Sequence, residues 1–169
     1  ADAAAAQPAP VAGATAIRGH RLIEVLHATD LVTVYLAEAE DREEQIVLKV
    51  VRHLPEDGPG SLFDRFLQEY EVVATVRHPN VVSIYDLGIA DDHAYIVMEY
   101  LPAGTLADRI DPRCEPELAL PYLRQMGRAL DAIHGAGILH RDLKPANVMF
   151  RADGTLALID FGPAKQLRL

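Results

Sequence analysis

Cysteine is nearly absent from this chain: among 169 residues there is one, Cys114. No intrachain disulfide can form, and no thiolate metal cluster can be built. A reducing compartment, the cytoplasm, is the expected setting. Seven His residues are scattered with no pair at H-x-x-x-H spacing, so a helical zinc site has no signal. Positive charge is scarce: 16 Lys and Arg against 25 Asp and Glu give a formal net charge of -9. That balance argues against a general nucleic-acid footprint and gives an anionic membrane surface nothing to attract. No apolar run is long enough to cross a bilayer. The opening residues lack the basic start and apolar stretch of a signal peptide.

What is present is enough for a core: 50% of the residues are hydrophobic, in a length that suits one domain. The Ala- and Pro-rich opening "ADAAAAQPAPVAGATA", residues 1–16, reads as a linker. It does not start with Met, so an upstream segment is expected.

"HRLIEVL", "LVTVYLAEA" and "QIVLKVV" are rich in β-branched and aromatic residues and predict three strands joined by short turns, an antiparallel meander. From Ser61 the period changes. Leu62, Phe66, Tyr70 and Val73 recur at helical spacing, and the helix should end before His78-Pro79. "VVSIYDLGIA" and "HAYIVMEYL" follow as two more strands, then a short helix over 105–110. "PELALPYLRQMGRALDAIHGAG" predicts a longer helix with Leu123, Met126, Leu130 and Ile133 on one stripe and Gly135 or Gly137 ending it. Last, two apolar runs flank Asp153-Gly154, a hairpin signal.

Three polar features sit at telling places. Lys49 lies inside an apolar strand, where burial is costly without a partner, and Glu69 on the following helix is a plausible one. "LHRDLKPANVMF" packs Asp142, Lys144 and Asn147 into one loop. Asp160 ends "LALID". A solvated turn is the plain reading of the loop. The alternative is a phosphoryl-transfer site: Lys49 on phosphate oxygens, Asn147 and Asp160 as hard oxygen ligands, Asp142 accepting a hydroxyl proton and Lys144 offsetting charge.

With these motifs in this order the chain resembles the eukaryotic-type (Hanks-type) protein kinases. "IVLK" resembles the strand motif of the ATP lysine, "HRDLKPAN" the catalytic loop, and "DFG" the metal-binding motif. The Lys two residues after Asp142 is similar to the serine/threonine class. The resemblance implies an α+β fold: a five-stranded antiparallel N-terminal lobe with one regulatory helix, then a partial helical C-terminal lobe. The expected bounds are a linker over 1–16, the first lobe and hinge over 17–101, and the second lobe over 102–169.

It further implies catalytic roles for Asp142, Lys144, Lys49 and Glu69 (rather than Glu71 on another face of that helix), and metal ligation by Asn147 and Asp160. Leu26, Val34, Val47 and Met149 would enclose the adenine. Met98 would be the gatekeeper, with Glu99 and Leu101 offering backbone groups to the base. Val73, Ile84, His140 and Phe161 would form the apolar stack linking the lobes, and Arg141 would receive a downstream phosphosite. The implied cofactors are ATP and Mg²⁺. The implied partner is a protein bearing Ser or Thr, with no nucleic acid and no membrane.

Two departures stand out. The family's G-x-G-x-x-G would place glycines at His27, Thr29 and Val32, and none is there. Fewer backbone amides would then reach the phosphates, and a pseudokinase that serves as a binding or scaffold module is the alternative to an enzyme. Second, "DFGPAKQLRL" closes the chain before the activation segment, so little turnover is expected from these residues alone, and the long helix's apolar stripe is expected to face solvent and favour self-association.

Overall fold

The computed structural model describes residues 16–17, 19–39, 44–52, 70–90, 93–110 and 116–160. Glu69 and Phe161 lie outside them, as does most of the segment 61–77 expected as a helix; residues 70–73 are helical. The chain divides into two compact units, Ala1–Pro59 with Tyr85–Tyr100, and Gly60–Ile84 with Leu101–Leu169.

The first unit is built on an antiparallel sheet. Its strands are β1 (Ala16–Ile17), β2 (His20–Ala28), β3 (Val32–Ala39), β4 (Gln45–Arg52), β5 (Ile84–Ala90) and β6 (His93–Glu99), in the order β1-β2-β3-β4-β6-β5. All five expected strands are present. The sixth, two-residue β1, pairs Ala16 with Arg21, so the sheet begins at the last residue of the expected linker. β5 starts at Ile84 rather than Val81, because the segment around Val81 pairs with Leu158 inside the second unit: Leu158 N–H donates to Asn80 O, Val82 N–H to Leu158 O, and Val81 N–H to His78 O.

Strand side chains alternate between faces, so the register sorts them. Tyr35, Leu48 and Val97 stand in one cross-strand row; with Ile17, Ala37, Ile46, Val50 and Tyr95 they form a buried cluster against which Leu22 packs. Each such large side chain contributes about 1.5–3 kcal/mol by leaving water. The rows Val34–Lys49–Ile96 and Leu36–Val47–Met98 belong to the opposite face.

The second unit contains helix α1 (Pro116–Gly135), which ends in a Schellman motif. Ile138 N–H donates to Ile133 O at 2.9 Å and Gly137 N–H to His134 O at 2.9 Å, with Gly137 at φ 76°, a conformation glycine tolerates best. The expected stripe is only partly in solvent. Leu123 is 58% exposed and its neighbour Leu120 48%, but Met126 and Leu130 are half-buried and Ile133 is fully buried. The reason is the hairpin beneath: α1 packs on β8 (Leu156–Leu158), which pairs antiparallel with β7 (Val148–Phe150) across the expected Asp153-Gly154 turn.

Both hairpin edges are occupied. Residues 103–106 bond along β7: Ala103 N–H to Phe150 O (3.1 Å), Phe150 N–H to Gly104 O (3.0 Å) and Leu106 N–H to Val148 O (2.7 Å). Residues 80–82 bond along β8: Leu158 N–H to Asn80 O (2.9 Å) and Val82 N–H to Leu158 O (3.0 Å). The short helix expected at 105–110 is a 3₁₀ turn, Ala107–Arg109. Its geometry is set locally by the Asp108 carboxylate, which accepts from the Thr105 N–H (2.8 Å) and hydroxyl (2.7 Å).

Candidate active site

The loop between α1 and β7 folds around Asn147. The 3₁₀ turn Pro145–Asn147 buries this side chain, and burial obliges it to find partners. Its Nδ2 donates to the Asp142 backbone carbonyl (2.9 Å) and to Asp142 Oδ2 (2.8 Å). The Lys144 ammonium donates to that same Oδ2 at 2.7 Å. Neither bond uses Oδ1. The Lys144 hydrogen bond, helped by Asn147 and opposed by partial burial, holds the Asp142 carboxyl below its ordinary 3.8. It is therefore ionised at neutral pH, as a proton acceptor must be.

Asp160 follows β8 and is held close to this loop through the backbone. Ile159 N–H donates to Asn147 O (3.0 Å), and the buried His140 ring places Nε2 3.0 Å from Ile159 O. With Nε2 protonated, His140 is the donor. Tyr70 O–H points at Asp160 Oδ1 over a long 3.4 Å. Arg141 (φ 60°) and Asp160 (φ 48°) are the non-glycine residues with left-handed backbone among those described. Such conformations cost about 1–2 kcal/mol each, and they persist where surrounding contacts over-determine them. Asp142, Lys144, Asn147 and Asp160 thus all belong to the second unit and meet through the 140–147 and 159–160 segments.

β7 is also pinned from the side. Phe150 is fully buried between Tyr122, in edge contact at 5.3 Å, and the Arg109 guanidinium, 3.7 Å above the ring centre. Met149 beside it is half-buried and bridges Thr105. Leu101 is buried in this unit.

In the first unit Lys49, Val34, Val47 and Met98 share one sheet face: Val34 pairs with Lys49, and Val47 with Met98. Leu26, 42% exposed, stands at the register shift between Val25 and His27. Glu99 ends β6, half-buried. Glu71, the rival to Glu69, is exposed. Of the stack residues, Val73, Ile84 and His140 are buried.

Sequence reasoning missed a polar node under β8. Asn80 Nδ2 donates to Gln125 Oε1 (2.9 Å) and to Leu156 O (2.8 Å), and Gln125 Oε1 also accepts from Leu156 N–H (3.1 Å). The signal in the sequence is slight: Asn80 follows Pro79 before an apolar run, and Gln125 adjoins the stripe residue Met126.

The donor chemistry fits a magnesium nucleotide. Because Asn147 Nδ2 is committed to Asp142, its Oδ1 takes no part in those bonds; that amide oxygen and the Asp160 carboxylate are hard oxygens of the kind Mg²⁺ takes.

The family model described as "Protein kinase domain" matches residues 30–169. Serine/threonine-protein kinase pkn2 of Myxococcus xanthus is 39% identical over 149 residues, 86% of this chain and 18% of that protein. Serine/threonine-protein kinase PrkC of Bacillus subtilis is 34% identical over 150 residues, 88% and 23% of the two chains. PknB of Mycobacterium tuberculosis is 34% identical over 154 residues, 88% and 24%. The chain therefore spans about a fifth to a quarter of the length of these relatives. It belongs to the protein kinase family, in the Hanks-type serine/threonine branch. The family uses ATP with Mg²⁺. Among the described residues no helix is long and apolar enough to cross a membrane.

Proposed function

We propose that this chain is the nucleotide-binding and catalytic-loop part of an enzyme that transfers the γ-phosphoryl group of ATP to Ser or Thr hydroxyls of a protein, in the cytoplasm. The observation that carries the reading is the Asp142 carboxylate, oriented by Asn147 and Lys144 through one oxygen while Oδ1 takes no part in either bond. Asp142 would draw the proton from the attacking hydroxyl. Lys144 would offset charge as the phosphoryl group moves. Asn147 and Asp160 would hold the metal, which supplies charge neutralisation at the phosphates when bound. Lys49 would bind phosphate oxygens, supported by Glu69. Leu26, Val34, Val47 and Met149 would enclose the adenine behind Met98, with the backbone of Glu99 and Leu101 at its edge.

The test is phosphate incorporation by the full-length protein. Asp142→Asn should lower it by about 100-fold or more, the size of a lost general base, and Lys49→Met, which removes the cation placed on the phosphates, should lower it as well. Unchanged incorporation in both sinks the assignment.

A second reading, a pseudokinase that serves as a binding module, is favoured by one observation: the β2–β3 turn carries none of the expected glycines. Incorporation by the wild type that vanishes in Asp142→Asn decides against it. Self-association through the exposed Leu120 and Leu123 belongs to the same proposal, and light scattering on Leu123→Lys tests it.

A further inference from the structure

The turn between β2 and β3 ties two of its own amides, those of Thr29 and Val32, across itself. Thr29 N–H donates to Val32 O at 2.7 Å, and Val32 N–H donates back to the Thr29 hydroxyl at 3.0 Å. That hydroxyl lies 3.3 Å from Val32 O, and Arg52 N–H at the end of β4 holds Leu31 O at 3.0 Å. Neither Thr29 nor Val32 takes left-handed backbone, so the turn closes without glycine. Two of the three positions where the family pattern puts glycine are therefore tied to each other across the turn. At its tip, exposed, stands a carboxylate, Asp30.

We propose that this turn is a closed, acid-tipped cap that withholds the Thr29 and Val32 amides from the terminal phosphate of a bound nucleotide, and that Asp30 sets the preference between nucleoside diphosphate and triphosphate. The inference rests on the reading of the β2–β3 turn as the phosphate-facing loop. An open glycine turn gives the γ-phosphate hydrogen bonds that a diphosphate cannot claim. Here the amides of Thr29 and Val32 are spent, and the extra negative charge of the triphosphate meets a negative tip. Attraction lost and repulsion gained act in the same direction, against the triphosphate. The domain then takes Mg-ADP and Mg-ATP with near-equal affinity.

The experiment is calorimetric titration of the whole chain with Mg-ATP and with Mg-ADP, for wild type, Asp30→Asn and Glu117→Gln, a control that removes an exposed carboxylate on α1. Wild type should bind the two nucleotides within about threefold. Asp30→Asn should tighten Mg-ATP by about fivefold at low salt, as expected for one exposed charge at close range, and Mg-ADP by less. The gain should shrink at high salt, and Glu117→Gln should behave as wild type. Wild-type preference for Mg-ATP of tenfold or more, unchanged in Asp30→Asn, overturns the cap while leaving the nucleotide site intact. Binding of neither nucleotide by any variant at millimolar concentration overturns the nucleotide-site reading, and the cap with it.

Discussion

Asn147 reaches Asp142 twice from one nitrogen, at 2.9 Å to the backbone carbonyl and 2.8 Å to the carboxylate. The first bond fixes the loop and the second fixes the side chain, so one buried amide sets both the height and the direction of the carboxylate. Asn147→Ala should remove both. Phosphate incorporation by the full-length protein should fall by about 100-fold. The Asp142 carboxyl should titrate higher than in wild type yet stay below the ordinary range, because the Lys144 bond, the largest cause of its depression, remains. Carbon-13 NMR of the carboxyl measures this; an unmoved titration would show that Asn147 does not act on Asp142.

The node under β8 should matter for stability. Gln125→Leu leaves Leu156 N–H without its acceptor and takes one of two acceptors from Asn80. An unsatisfied buried donor costs about 1–3 kcal/mol, which lowers the melting temperature by about 2–12 °C at this size. Gln125→Glu keeps an acceptor and should lose less than half as much. Equal melting of wild type and Gln125→Leu by circular dichroism would remove the node from the account.

His140 gives a pH dependence with a definite sign. Burial pushes its imidazole below the ordinary 6.5, only partly offset by the bond to Ile159 and by the carboxylates of Asp142 and Asp160. The unfolded chain therefore binds the proton more readily than the folded one. The stability contribution of neutral His140 is complete above about pH 6.5 and is lost as pH falls below it. Urea denaturation at pH 7.5 and pH 5.5 should show this loss in wild type. His140→Phe should be less stable at pH 7.5, lacking the bond to Ile159, but flatter with pH. A variant as pH-sensitive as wild type would place the titration elsewhere.

How much of this was legible follows from where each signal lives. Strands β2, β3, β4 and β6 were readable because β-branched residues alternate along them, and the β7–β8 hairpin because Asp153-Gly154 names its turn. The loop residues Asp142, Lys144 and Asn147 were readable because they lie within six positions of one another. Asn80 and Gln125 were not: their partnership spans 45 residues, and a lone Asn or Gln looks the same whether solvated or buried. The early strand start at Val81 failed for a related reason. Val81 and Val82 have strand composition, but Val81 N–H donates to His78 O and Val82 N–H to Leu158 O of β8, a choice tertiary packing makes and local sequence does not carry. Ile133 was expected in solvent, and the same hairpin covers it.

Asn147 and Asp160 are the proposed oxygen ligands of a nucleotide-bound divalent ion. Electron paramagnetic resonance of Mn²⁺ with ADP, titrated into the chain, reads this directly. Wild type should bind the Mn-ADP complex, and Asp160→Asn and Asn147→Leu should each weaken it by about tenfold or more, a loss of one charge-assisted contact. Mn-ADP bound equally well by all three proteins would contradict the account.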